Sequence, residues 1–155
     1  MADLTGYFFD TSVLVAGIIE IAGPGHPAQR LLAAVAGGRF IRPATAWHCC
    51  LEFYSVATRL PRELRVTPQV AAMLVEQEVM ARFVVYSLPR DRRAGFVAGA
   101  AHDSIAGGRV HDAHIAEIAR SCGADVVVTE NRKHFTQLLR YGVRVLTAEE
   151  ASVAL

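Results

Sequence analysis

Three carboxylates stand at separated points of the sequence where they could share one divalent metal ion. Asp10 directly follows the apolar run Tyr7-Phe8-Phe9, Glu52 is the only acid of an otherwise apolar segment, and Asp112 begins a stretch with helical spacing. Two bare carboxylates about 4 Å apart repel by about 4 kcal/mol at an effective dielectric near 20, so three stay together only with protonation or a cation. Hard oxygen ligands favour Mg²⁺ or Mn²⁺. Such a site suits phosphodiester hydrolysis, in which the metal polarises the phosphate and activates a water.

Each carboxylate also has a purely structural explanation. Asp10 could cap the start of a helix. Glu52 lies on a polar stripe that the solvent-facing side of a helix would explain. The members of this stripe are Thr45, His48, Glu52, Ser55 and Arg59. Asp112 in a first helical turn would be favoured by the helix dipole by about 0.3–1 kcal/mol. Asp112, however, shares its face with apolar side chains at i+3, i+4 and i+7, which favours a position at the rim of a sheet.

A second apolar run, Val126-Val127-Val128, ends in the polar residues Thr129, Glu130 and Asn131. A turn would explain Asn131 equally well. In a parallel α/β sheet, however, functional groups collect beyond the carboxyl ends of the strands. We therefore expect Thr129 and Asn131 to converge there with the three carboxylates.

The predicted elements alternate between short β-branched or aromatic runs and longer stretches with helical spacing, which indicates a mostly parallel sheet covered on both faces. The predicted strands are residues 7–9, 40–41, 83–86, 126–128 and 143–146, and the predicted helices are residues 12–21, 27–36, 44–59, 68–81, 91–105, 111–121 and 133–140.

Composition bounds the class of protein. A chain of 155 residues predicts a single domain spanning residues 1–155, and a hydrophobic fraction of 52% with 20% charged residues excludes a disordered chain. Sixteen basic and fifteen acidic residues give a net charge of +1, so a nucleic-acid partner would be held by a local patch or through a metal.

Three cysteines indicate no disulfide framework, and neither a membrane span nor a signal peptide is predicted. We expect a soluble, cytoplasmic protein.

Four motifs together resemble those of the PIN-domain ribonucleases, and within them the VapC toxins of bacterial toxin–antitoxin pairs. They are Phe9-Asp10-Thr11-Ser12-Val13-Leu14, the isolated Glu52, the segment from Arg109 to Ala116 that contains Asp112, and the segment from Asp125 to Phe135. These motifs occur in the family's order over nearly the whole chain.

The resemblance implies a three-layer α/β/α sandwich with a central, mostly parallel sheet of four to five strands. It also implies a metal-dependent endoribonuclease toxin that cleaves structured or single-stranded RNA, forms a homodimer and is neutralised by a cognate antitoxin. By position, Asp10, Glu52 and Asp112 look like the metal-binding acids. Thr11 or Ser12, together with Thr129, look like groups that orient these acids or a water.

The sequence departs from the family pattern at Asn131, where many members carry an aspartate. The amide can still bind a metal or a water but removes one negative charge, and whether Glu130 substitutes is open. A PIN-like RNA-binding module with weakened catalysis is therefore an alternative function. A second alternative, an aspartyl-phosphate phosphatase, requires another acid two residues after Asp10, where Ser12 stands.

Two arginines adjoin the candidate site residues. Arg109 and Arg132 could bind RNA phosphates, for which the forked guanidinium is well shaped. The codon bias of a GC-rich genome would explain the many arginines equally well. His111 and His114 have no second ligand pair at zinc-binding spacing. His111, next to Asp112, could touch the substrate, but a surface position is expected for it.

Overall fold

The computed structural model describes residues 2–21 and 23–155 of the chain. Five parallel strands form one sheet in the order β3-β2-β1-β4-β5. At its centre, Phe8 pairs with Ala44 on one side and with Val127 on the other. The strands are β1 Tyr7–Phe9, β2 Ala44–Ala46, β3 Val84–Tyr86, β4 Val126–Val128 and β5 Arg144–Leu146.

Helices lie on both sides of the sheet, as the alternation of segments predicted. They are α1 Thr11–Ile18, α2 Pro27–Ala36, α3 Trp47–Ala57, α4 Pro68–Leu74, α5 Arg93–His102, α6 Arg109–Ser121 and α7 Ala148–Ser152. Helix α2 packs between α1 and α7, whereas α5 packs against α6. None of the helices in the described part of the chain has the length and apolar character needed to span a membrane.

The core is built from the apolar runs of the central strands. Every residue of β1 and of β4 is buried, so both faces of these strands are covered. This double burial explains why the runs Tyr7-Phe8-Phe9 and Val126-Val127-Val128 are continuously apolar rather than alternating.

The second strand lies at a different place from the one predicted. Residues 40–41 form no strand, and Phe40 makes only an isolated bridge with Leu4. The strand is Ala44–Ala46, which the prediction placed at the start of a helix covering residues 44–59, and that helix begins at Trp47. The sequence Ala-Thr-Ala has weak strand preference, but pairing with β1 and β3 on its two sides overrides it.

The other differences concern element ends and types. The helix predicted over 68–81 is α4 followed by a π-helical turn, Val75–Met80, and the helix predicted over 133–140 is a pair of 3₁₀ turns, Arg132–His134 and Thr136–Tyr141. Helix α7 was not predicted, although Thr147 and Glu150 form a capping box at its start. The prediction of α2 is correct at both ends.

The strand order places a topological switch point between β1 and β4. From β1 the chain adds β2 and then β3 on one side, and afterwards it crosses to the other side of β1 to add β4 and β5. Loops leaving β1 and β4 therefore diverge and leave a crevice at their carboxyl ends, where α/β proteins bind ligands. Asp10 and Thr129 are the first residues after these two strands.

We expect Gly17→Ala to lower the free energy of unfolding by about 1–3 kcal/mol, because it overpacks the contact between α1 and α2. A Cβ at Gly17 would lie 2.7 Å from Leu32 Cδ2 and 2.8 Å from the Ala28 carbonyl oxygen. Urea denaturation measures the change. Gly99→Ala on α5, where a Cβ meets nothing within 4 Å, is the matched control and should be neutral or stabilising. Equal effects of the two substitutions would contradict this account.

Candidate active site

Asp10 is held at the switch point by hydroxyl groups. Its side chain is 2% exposed, and it makes no capping hydrogen bond with α1, although it occupies the position just before that helix. Instead, its Oδ2 accepts hydrogen bonds from Ser12 Oγ and Thr129 Oγ1, both at 2.8 Å. The helix-cap explanation of Asp10 is therefore wrong. Its carboxylate instead connects the segment after β1 to Thr129, the first residue after β4.

Glu52 is brought to the same region by a contact between two helices. Thr11 Oγ1, at the start of α1, donates a hydrogen bond of 2.9 Å to Glu52 Oε1 on α3. Glu52 is half-buried, and Thr45, on the same predicted polar stripe, is fully buried and donates to the Phe9 carbonyl oxygen at 2.8 Å. The stripe is therefore not simply a solvated face, because Thr45 and Glu52 contact the end of β1 and the start of α1.

Asp112 lies in the first turn of α6, and its carboxylate is bound by a histidine. The distance between Asp112 Oδ2 and His134 Nδ1 is 2.6 Å. His134 is a candidate functional residue that sequence reasoning missed. It ends the 3₁₀ turn Arg132–His134, an irregular segment with no periodicity that would indicate which side chains face Asp112.

Burial and neighbouring carboxylates raise the pKa values of Asp10 and Glu52. Burial is the main cause that raises the pKa of Asp10, and the negative charge of Asp112 raises it further. Burial also raises the pKa of Glu52, with additional effects of the charges on Asp10 and Asp112. The hydroxyl donors Ser12, Thr129 and Thr11 act in the opposite direction, since they stabilise the ionised forms. The fold thus concentrates negative charge that a cation would neutralise.

The donor chemistry fits a hard divalent cation, but not as one compact set of three ligands. Within residues 2–21 and 23–155, no three His, Cys, Asp or Glu side chains are arranged to hold an ion together. The Asp112 carboxylate is bound to His134, and that of Asp10 to two hydroxyls. Mg²⁺ usually keeps several waters and binds through one or two carboxylates, so this arrangement is compatible with it.

The segment after β4 directs its polar side chains in different ways. Thr129 is fully buried, and its Oγ1 also accepts a hydrogen bond of 3.0 Å from the Asn131 backbone N–H. Glu130 Oε1 accepts from the Ala148 N–H at 2.8 Å, so this carboxylate is bound at the start of α7. Asn131 is exposed.

The two predicted RNA-binding arginines have different surroundings. Arg109 and Asp112 line a cavity of about 280 Å³, to which Lys133 and Arg140 also contribute. Arg132 forms a short ion pair with Glu150 instead. Of the cations that line this cavity, Arg140 was not proposed as a ligand of RNA from the sequence.

Comparison with known proteins identifies the family. The model of the PIN domain family matches residues 7–133, and the chain therefore belongs to the PIN-domain family. Ribonuclease VapC27 from Mycobacterium tuberculosis (strain ATCC 25618 / H37Rv) is 32% identical over 139 residues, which are 90% of this chain and 94% of that relative. The family resemblance inferred from the four motifs is confirmed.

Solved structures share the fold. VapBC-1 from nontypeable Haemophilus influenzae is similar with a TM-score of 0.60 and 14% identity, covering 94% of this chain and 99% of that chain. FitAcB from Neisseria gonorrhoeae gives a TM-score of 0.58 and 16% identity, covering 92% and 98%. FitAB bound to an IR36 DNA fragment gives 0.57 and 15%, covering 92% and 94%. The predicted α/β fold with a parallel central sheet is confirmed.

We expect Asp10→Asn to stabilise the protein at neutral pH without divalent cations, because the amide has no charge to desolvate. Burial raises the pKa of Asp10 above its ordinary value of 3.8. At pH values between 3.8 and this raised pKa, the folded state therefore binds more protons than the unfolded state. Stability therefore falls as the pH rises through that window. The advantage of the variant should be complete above the window and disappear below pH 3.8.

Thermal unfolding across pH in a metal-chelating buffer measures this effect, with each kcal/mol appearing as about 2–4 °C. Asp3→Asn, at an exposed position, is the matched control and should show no pH-dependent gain. A lower melting temperature of Asp10→Asn at neutral pH would show that the hydroxyl–carboxylate hydrogen bonds outweigh the desolvation of Asp10.

Proposed function

We propose that residues 1–155 act as one PIN domain with Mg²⁺- or Mn²⁺-dependent endoribonuclease activity. The observation that carries this proposal is the buried Asp10 carboxylate at the switch point. The charge of Asp112 raises the pKa of Asp10, and the charges of Asp10 and Asp112 raise that of Glu52, so the three carboxylates lie near one another. The 32% identity to a ribonuclease over most of both chains supports the same reaction. The solved structures are only 14–16% identical to this chain and therefore show only the fold. The proposed chemistry consequently rests on Asp10, Glu52 and Asp112.

In this proposal Asp10, Glu52 and Asp112 would together hold the cation, one or two of them directly and the rest through its bound waters. A bound ion would polarise the scissile phosphate and lower the pKa of an attacking water. Ser12 and Thr129 fix the orientation of Asp10 through their hydroxyl groups, and Thr11 does the same for Glu52. His134 orients Asp112 from the side of the 3₁₀ turn.

Two further groups act on the substrate in this proposal. Asn131, whose backbone is held by Thr129, presents its exposed amide to the phosphate or to a water. The cavity lined by Arg109, Lys133 and Arg140 beside Asp112 binds the RNA backbone. These cations offset the repulsion between the phosphates and the carboxylates, which a net charge of +1 would leave uncompensated. Arg132 would join them only after release from Glu150.

We further propose that the protein is the toxin of a toxin–antitoxin pair, acts as a homodimer in the cytoplasm and is neutralised by a cognate antitoxin. VapBC-1 and the Fit proteins share its fold over almost the whole of both chains, and VapC27 is the relative with 32% identity. Co-expression with the protein encoded next to it, followed by size-exclusion chromatography, tests the partner and the oligomeric state.

An RNA-binding module without cleavage is the second candidate function. It is favoured by Asn131, which supplies no charge, and by the lack of a ready three-ligand group among the described side chains. The phosphatase interpretation loses its support, because the chain belongs to the PIN-domain family and the Ser12 hydroxyl is bound to Asp10 itself.

Asp10→Asn and Asp112→Asn should each reduce RNA cleavage at least about 100-fold, the scale seen when a group that stabilises transition-state charge is lost. Growth arrest on induction should disappear as well. Cleavage of total cellular RNA by purified protein, followed by mapping of the new ends, measures the activity. Asp3→Asn should remain fully active, and circular dichroism confirms that all variants are folded. Full activity of either site variant would refute the assigned roles.

Mg²⁺ or Mn²⁺ should raise the melting temperature of the unmodified protein. An ion at 100 times its dissociation constant adds about 2.7 kcal/mol of stability, provided that it binds only the folded state. Asp10→Asn should lose most of this gain, while Asp3→Asn keeps it. If neither ion stabilises the unmodified protein but RNA still binds, the second candidate function is favoured.

A further inference from the structure

Three histidines meet between α3 and α6, the two helices that carry Glu52 and Asp112. The distance between His48 Nδ1 and His114 Nδ1 is 2.7 Å, and the ring centroids of His48 and His111 lie 5.1 Å apart. His48 is one helical turn before Glu52, with 3.9 Å between its Nε2 and Glu52 Oε1. The histidine cluster therefore borders the carboxylates directly.

A cavity of about 310 Å³ opens beside this cluster. Its aromatic lining consists of Trp47, His48 and His114, and its polar lining includes Ser87 and Arg93. Trp47 is 44% exposed although it begins a helix whose inner face belongs to the core. The cavity is thus reached from solvent, and it joins the carboxylate site through His48.

The lining combines the two properties needed to bind an unstacked base. Trp47 and the imidazole rings offer flat π faces, on which bases of single-stranded nucleic acid stack with little dependence on sequence. Ser87 and Arg93 offer hydrogen-bonding groups for a base edge. The Arg93 side chain is anchored by a hydrogen bond of 3.1 Å from its Nε to the Leu88 carbonyl oxygen.

We propose that this cavity binds one nucleobase of the RNA substrate, next to the phosphate that is cleaved. The inference rests on the proposed ribonuclease function and adds to it a subsite that holds one unstacked base. The basic cavity beside Asp112 and the aromatic cavity beside Glu52 lie on two sides of α6. An RNA strand that crosses the carboxylates can then place its backbone in the first cavity and a base in the second.

Trp47 is the single tryptophan of the sequence, so the fluorescence comes from one side chain that lines this cavity, and the abasic scan and His114→Ala assign a change to it. The experiment titrates a single-stranded RNA oligonucleotide into the Asp10→Asn protein, which binds RNA without cutting it under the proposed function. The same oligonucleotide is then prepared with one abasic residue at each position in turn. Intact RNA should quench Trp47, and one abasic position should remove the quenching and weaken binding about 5- to 150-fold.

His114→Ala in the same background should weaken binding of intact RNA but leave binding of that abasic oligonucleotide unchanged. His102→Ala, at an exposed residue of α5 outside the cavity, is the matched control and should bind both RNAs like its parent. This double comparison separates a base subsite from a general loss of structure.

Other outcomes would overturn the inference in distinguishable ways. If the unmodified protein cleaves RNA but Trp47 fluorescence and the abasic scan are unresponsive, the base subsite is wrong while the ribonuclease function stands. If no RNA is bound or cut, the proposed function itself fails. If Trp47 fluorescence changes on protein dilution without RNA, the cavity lies between two copies of the chain.

Discussion

The arrangement depends on one buried carboxylate placed where the order of the strands reverses. Asp10 is almost inaccessible, and an ionised carboxylate in that position would be strongly unfavourable without partners. Its partners are hydroxyl groups from the start of α1 and the end of β4. Because hydroxyls donate without adding positive charge, the site keeps its negative charge available for a cation, and this is the property that the proposed chemistry needs.

The neighbours of Asp10 are connected through a short series of contacts. Ser12 is bound to Asp10 and accepts the Glu130 N–H, while Thr11, one residue earlier, is bound to Glu52 on α3. A single Thr-Ser pair therefore couples the first strand to two other segments. In this way the beginning of α1 determines the orientation of groups that are far apart in the sequence, and substitutions there would alter several of them together.

The meeting of Asp10 and Thr129 was predictable from the sequence, because each residue directly follows an apolar strand. A carboxylate directly after an apolar run, and a hydroxyl after another, must lie at the same edge of a parallel sheet. The roles of Arg132, Glu130 and His134 were not predictable in the same way. Each depends on a partner from another element, Glu150, Ala148 and Asp112 respectively, and no periodicity in an irregular segment indicates such partners.

The prediction of β2 failed for a related reason. Phe40 and Ile41 have the residue types of a strand, whereas Ala44–Ala46 have the types of a helix start. Nevertheless, the latter segment lies between β1 and β3 and forms both sets of strand hydrogen bonds. Pairing on two sides outweighs local preference, which spans only about 1 kcal/mol per residue.

The sequence by itself determined the α/β class, the family motifs and the candidate acids, since these follow from local hydrophobic patterns and from the residues beside them. Only the tertiary structure decided which strand order creates the crevice, which acids are bound to hydroxyls or to a histidine, and which aromatic rings form a cavity beside them. These features arise from contacts between distant segments, whose geometry is set by packing of the whole chain rather than by any local sequence pattern.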